Sequence, residues 1–206
     1  NEDEQINEYL EAFQTLDMNS NHAYWELNIS CPNLAAGSDF QEPEALSRLL
    51  KAVDALELNR PFFIKMPIDI TKEQLISLLI VIEQSSAAGI IIGNLTKKAD
   101  PKAFWMQERL KYDHGGFSGR PTRAKSEAHI RSAYQFTEGR LIIIGCGGIF
   151  DTEDALRKIR AGASALQLIT GMVLRGPQIV GQINHGIVQY MQREGYHHLS
   201  ELVGVE

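Results

Sequence analysis

Cys31 stands in Asn28-Ile-Ser-Cys-Pro-Asn33, a polar hexapeptide directly behind an apolar run. A thiol exposed to a cleft in such a loop, with an ordinary pKa of ~8.5, can act as a proton acceptor near neutral to alkaline pH. Cys146, the only other cysteine, adjoins Gly147-Gly148 and reads as an inert small apolar residue. Lys65 ends the run Phe62-Phe-Ile-Lys-Met-Pro67. Its charge either snorkels to water along its own methylenes or faces an anion, because an ammonium among apolar groups needs counter-charge. Asn28 and Asn94 each offer two donors and an acceptor to a flat heterocycle, or else cap their loops. Gly147-Gly148 precede a helix start near Asp151. Glycines there let backbone N–H groups approach an anion at a helix N-terminus, or serve the turn's geometry alone. Ser30 and the six histidines have no spacing that suggests a hydrolase triad or a metal cluster, so no metal is expected.

The elements that must position these groups are legible as five short apolar runs: Ala23 to Ile29, Phe62 to Met66, Gly89 to Gly93, Leu141 to Gly145 and Ala165 to Ile169. Runs apolar at nearly every position suit parallel strands covered on both faces. Helical stripes lie between them. Leu46, Leu49, Leu50, Val53 and Leu56 form one. Leu75, Leu78, Leu79 and Ile82 form another, behind Thr71 as cap with Gln74 completing a capping box. A third helix starts at Asp151 or Thr152 and ends at Gly162, and the last runs from Pro177 to Arg193 before Gly195. Repeated βα units of this spacing mean a parallel sheet, open or closed, with its chemistry at the C-terminal ends of the strands. If the sheet belongs to a TIM barrel, Thr170-Gly171 and Gly147-Gly148 sit in the two loops that commonly clamp phosphate. Lys97 to Arg123 is the one irregular region, either a binding loop or plain disorder, and its Gly115-Gly116-Phe117-Ser118-Gly119 favours a binding turn.

The 206 residues, 44% hydrophobic, suffice for a buried core and for one domain. A charge of -6, from 20 Lys+Arg against 26 Asp+Glu, argues against an extended nucleic-acid surface. Two cysteines so far apart exclude a disulfide framework, and a reducing cytoplasmic setting is the expectation. No window approaches the ~18 apolar residues of a membrane span. The acidic start, Asn1-Glu-Asp-Glu-Gln, is unlike a signal peptide, and Asn1 reads as an internal residue exposed by trimming.

Five segments in order make the chain resemble the dihydroorotate dehydrogenase family: Glu26-Leu-Asn-Ile-Ser-Cys-Pro-Asn33, Ile64-Lys65-Met-Pro, Gly115-Gly-Phe-Ser-Gly-Arg-Pro121, Ile143-Ile-Gly-Cys-Gly-Gly-Ile149 and Arg160-Ala-Gly-Ala-Ser-Ala-Leu-Gln-Leu168. The resemblance implies an α/β TIM (β/α)8 barrel of which this chain supplies strands four to eight, with residues 1–206 forming a partial flavin mononucleotide (FMN) domain. It also implies oxidation of dihydroorotate to orotate, with a hydride passing to FMN and the electrons then to an acceptor, either a quinone or a soluble oxidant. By position, Cys31 matches the base that removes the C5 proton. Asn28, Asn33 and Asn94 match groups that hydrogen-bond the pyrimidine or flavin, and Lys65 matches the lysine at the flavin's pyrimidine edge. Gly116, Gly119, Gly147, Gly148, Thr170 and Gly171 match FMN-binding turns.

The sequence departs from the family pattern in three places. Quinone-using members carry Ser where Cys31 stands, yet the Gly115 to Pro121 loop and the tail from Gly176 to Gly204 resemble those same members. Leu95 follows Asn94 where Ser or Thr is usual, and Ile169 replaces a common Tyr. The first three units have no counterpart, and a complete barrel typically needs about 250 residues. An N-terminal fragment or a second copy is therefore expected to complete the barrel. A catalytically silent structural or interaction module is the competing expectation. A tRNA dihydrouridine synthase, which also uses a Cys after a strand-four Asn, fits less well with the acidic charge and the Gly115 to Pro121 loop.

Overall fold

The computed structural model describes residues 2–30, 40–98 and 115–205. Helix α1 (Glu2–Asn19) leads into β1 (Trp25–Asn28), α2 (Pro43–Asp54), β2 (Phe62–Met66), α3 (Lys72–Ile82) and β3 (Gly89–Ile92). A 3-10 turn at Arg120–Thr122 then opens α4 (Arg123–Thr137), followed by β4 (Ile142–Cys146), α5 (Thr152–Arg160) and β5 (Ala165–Gln167). The chain closes with α6 (Thr170–Arg175), α7 (Ile179–Glu194) and a 3-10 turn at Leu199–Leu202. The five strands form one sheet in sequence order, β1-β2-β3-β4-β5. Every pairing is parallel, as repeated βα units require.

Local chemistry explains the boundaries. Thr71 and Gln74 form a capping box at the start of α3, and the Asp151 carboxylate accepts the Asp154 amide to cap α5. Gly195 ends α7 in the left-handed conformation. Helices α1 and α4 lacked a sequence expectation, and the strongly polar α1 is held by a narrow stripe, with Ile6 and Phe13 buried. Side chains of α1 to α4 cover the outer face of the sheet, packing on Trp25, Leu27, Ile64, Ile90 and Ile143. Helices α5 and α7 enclose a second cluster around Leu156, Ile159, Ile179 and Ile183.

The inner face corrects one expectation. Only β3 is buried at every position. β1 alternates, with Trp25 and Leu27 buried and Glu26 exposed, and Ile142 on β4 is 46% exposed. Phe63, Ile91 and Ile144 make a small inner cluster. The sheet is nonetheless strongly curved: Gln167 on β5 donates to Glu26 of β1 (3.2 Å) and to Tyr24 just before it (2.9 Å), so its two edge strands touch across the concave side. β5 is also shorter than the apolar run suggested, because Ile169 leaves the sheet as the N-cap of α6 and is 68% exposed. No described helix is long and apolar enough to cross a membrane.

Candidate functional site

The C-terminal ends of the strands converge on a cavity of about 150 Å³ whose walls include Lys65, Asn94, Cys146, Gly147, Gly148 and Thr170. Ser118, Gly119 and Gly171 border it as well. Seven of the sequence-derived positions therefore meet in one place. Asn28 joins them through Ser30, which is 5% exposed: the Asn28 Oδ1 accepts the Ser30 hydroxyl at 2.6 Å, and the Asn94 side chain donates to the same hydroxyl oxygen at 2.7 Å. Gly116 does not border the cavity. It lies at the bridge between Thr96 and Phe117, whose mutual backbone bonds (2.8 and 2.9 Å) close the base of the Lys97 to Arg123 region. Cys31 and Asn33 lie outside the described residues.

Lys65 reaches inward from β2 and donates to Glu26 Oε1 at 2.6 Å. A counter-anion for this charge is thus present within the chain. Cys146 borders the cavity beside Lys65, and burial pushes its thiol above the usual range. The residue read as merely inert is part of the wall.

The Gly147-Gly148 turn has φ angles of 99° and 75°, in the region that glycine alone enters freely. A Cβ on Gly147 would stand 2.5 Å from Thr122 Oγ1, and one on Gly148 only 2.9 Å from the Arg123 Cα. The turn is pinned from behind. Arg123 Nε donates to Gly148 O (3.1 Å) while its other arm meets the buried Asp154 at 2.7 Å. Asp154 also accepts the Phe150 amide (2.9 Å) and pairs with Arg157. Ser126 donates to the Cys146 carbonyl at 2.6 Å and itself accepts from Lys158 at 2.8 Å. Facing the turn, Thr170 Oγ1 donates to Ser118 Oγ at 2.9 Å. Two hydroxyls and a glycine turn at a helix start form a ready anion cradle. Among the described residues no group of three His, Cys, Asp or Glu side chains could hold a metal ion.

Residues 1–191 match the family model described as dihydroorotate dehydrogenase. Similar curated proteins bear the name dihydroorotate dehydrogenase (quinone). The one from Rippkaea orientalis is 35% identical over 98% of this chain and 55% of its own length. Those from Synechocystis sp. (32%, 99% and 54%) and Myxococcus xanthus (35%, 89% and 50%) are comparable. The chain spans about half the length of the curated relatives it matches. Among solved structures, the DHODH of Eimeria tenella in complex with ferulenol superposes with a TM-score of 0.80 at 26% identity, over 89% of this chain and 54% of that one. Its ligand-free form gives 0.81 at 25%, over 89% and 55%. Five parallel βα units in sequence order, curved until the two edge strands touch and matched to about half of each of these chains, form part of a TIM barrel. The chain belongs to the dihydroorotate dehydrogenase family.

Proposed function

We propose that this chain carries the substrate-deprotonating and phosphate-holding half of an FMN-dependent dihydroorotate dehydrogenase, acting in pyrimidine biosynthesis. The observation that carries the reading is the convergence of Lys65, Asn94, the Gly147-Gly148 turn and Thr170 on one cavity. These residues fit FMN chemically: a glycine turn that leaves no room for a Cβ suits a phosphate, and a lysine at the inner strand end suits an electron-rich ring edge. When bound, FMN supplies the hydride acceptor.

The protein's own residues bind, align and move a proton. Asn28, Asn94 and Asn33 hold the pyrimidine or the flavin by side-chain amides. Cys31, as the thiolate, takes the C5 proton of dihydroorotate while the hydride departs from the neighbouring carbon, leaving the C5–C6 double bond of orotate. The Lys65 charge, shared with Glu26, favours negative charge on the adjoining ring. A cavity of about 150 Å³ is below the ~300–1,000 Å³ of most small-molecule sites. In this reading it is one wall of a pocket that the barrel's first three units complete, on the same polypeptide or a partner chain. The names of the relatives favour a quinone as acceptor, whereas Cys31 in place of Ser favours a soluble oxidant.

Anaerobic mixing of dihydroorotate with the FMN-loaded full-length protein tests the reading. Wild type should bleach the flavin absorbance, faster as pH rises toward the thiol's ordinary ~8.5. Cys31→Ala should lower the rate by at least about a hundredfold, with FMN binding retained. Unchanged bleaching in Cys31→Ala would remove the base assignment. The alternative, a catalytically silent interaction module, is favoured by the small cavity and by the apolar side chains left exposed on α6. Flavin binding by the completed barrel without any bleaching would establish it.

A further inference from the structure

Lys158 is the largest fully buried side chain among the described residues, with 0% of its surface exposed. It belongs to the last turn of α5, where Arg157, Lys158 and Arg160 form the basic end of the helix. Arg157 meets Glu127, Glu153 and Asp154, and Arg160 lies over the Tyr190 ring; Lys158 turns inward between α5, α4 and β4. Helical side chains lean toward the helix N-terminus, and the N-terminus of α5 is at the cavity end of the strands, so the ammonium is carried up behind the Gly147-Gly148 turn.

There it donates to Ser126 Oγ at 2.8 Å. Ser126, 0% exposed, donates in turn to the Cys146 carbonyl at 2.6 Å and stands 3.3 Å from the Ile92 carbonyl. Cys146 is the residue before Gly147, and Ile92 precedes Gly93 and Asn94, which also border the cavity. One hydroxyl, held by one buried cation, therefore ties together the ends of β3 and β4. No carboxylate of a described residue lies within 4.0 Å of the Lys158 ammonium, whereas Lys65, Arg123 and Lys125 each have one. A buried cation lacking a close counter-ion is costly unless something negative offsets it. Glu127 and Asp154 offset it in part from beyond hydrogen-bonding distance, and the outer side of the glycine turn, two hydrogen bonds away, offers a further position for negative charge.

We propose that Lys158 is a positioning residue for the anion held by Gly147-Gly148: through Ser126 it fixes the turn, and its buried charge stabilises a phosphate seated on the turn. The inference rests on the flavin phosphate reading above. Groups facing the ammonium are Cys146 from β4, Arg123 and Glu127 from α4, and Asp154 from α5. Burial lowers the Lys158 pKa to about 8, so its charge is lost between pH 7 and 9. Burial moves the Cys146 thiol the other way, above its ordinary range.

FMN and riboflavin, which differ only in the phosphate, are the probes. Titration of the full-length wild-type protein at pH 7 should give much tighter binding of FMN, and that preference should fall by about tenfold between pH 7 and pH 9, because the protonated fraction of a group with pKa ~8 falls about tenfold there. In Lys158→Met, which keeps the bulk and removes the charge, FMN affinity should drop by about tenfold at pH 7 with riboflavin affinity unchanged, and the pH dependence should vanish. Equal losses for both flavins, or an FMN preference unchanged in the variant, would overturn the role. If Lys158→Met does not fold, a wild-type preference that is flat from pH 7 to 9 overturns it alone. Wild type binding neither flavin would remove the flavin reading and this inference with it, a result distinct from flavin binding without phosphate preference.

Discussion

Asp69 shows how single side chains brace the mouth of the site. Its carboxylate accepts Lys125 Nζ at 2.5 Å, Thr96 Oγ1 at 2.6 Å and the Lys97 amide at 2.7 Å, just where the chain leaves the sheet toward Phe117. Burial alone would raise its pKa, but the hydrogen bonds from Lys125, Thr96 and Lys97 together lower it to about 2. A depressed carboxylate stabilises the fold fully above its unfolded value near ~4, and that contribution is lost as pH falls through about 2. Asp69→Asn should therefore lower the denaturant midpoint at pH 7 while flattening the acid limb of the stability profile between pH 4 and 2; an acid limb identical to wild type would count against the network. At this scale the sequence revealed residues that end apolar runs, Lys65 and Asn94 among them, because position after a strand is visible in one dimension. It concealed Ser30, Ser126, Asp154 and Lys158. A lysine between arginines at a helix end reads as a partner of the helix dipole and solvent, and only the packing of α5 on α4 and β4 reveals that it is enclosed.

Among the elements, the strands were the most legible. β2 coincides with its apolar run and β3 differs by one residue, while the capping box of α3 and the Asp151 cap were readable from side-chain type. Asp151→Ala should destabilise the protein by about 1 kcal/mol, the usual cost of an N-cap, read as a shift in the urea midpoint with unchanged slope. Because α5 carries both Asp154 and Lys158, that variant should also weaken FMN more than riboflavin, whereas Thr71→Ala, on a helix remote from the turn, should cost similar stability without altering the preference. Missed elements have physical reasons. α1 buries only a thin stripe within an acidic helix, and α6 is a six-residue turn whose apolar residues face outward, with Val173 72% and Leu174 69% exposed. An apolar run cannot tell a strand that stays in the sheet from one, like Leu168-Ile169, that leaves it.

At the scale of the whole molecule, the described strands leave two sheet edges without a backbone partner, β1 and β5, and apolar side chains at Ile142, Ile169, Val173 and Leu174 meet solvent. Such edges and patches favour association. Expressed alone, residues 1–206 should bind a hydrophobic dye and form mixed oligomers in light scattering. Supplying the three preceding βα units of a family barrel, in the same or a second chain, should abolish both behaviours and permit FMN binding. A monodisperse lone chain that ignores the dye would contradict this account of the edges. The order of assembly follows from the contact between Gln167 and Tyr24. Strand pairing in this sheet always joins consecutive βα units, so each step closes a short loop, but the Gln167–Tyr24 hydrogen bond spans 143 residues. Loop-closure entropy makes that contact the last to form and the first to open. The curvature that brings the site together is therefore acquired late: a nascent chain will have all five strands paired before it has a concave face, and removing the Gln167 amide will quicken unfolding while leaving the rate of folding almost untouched.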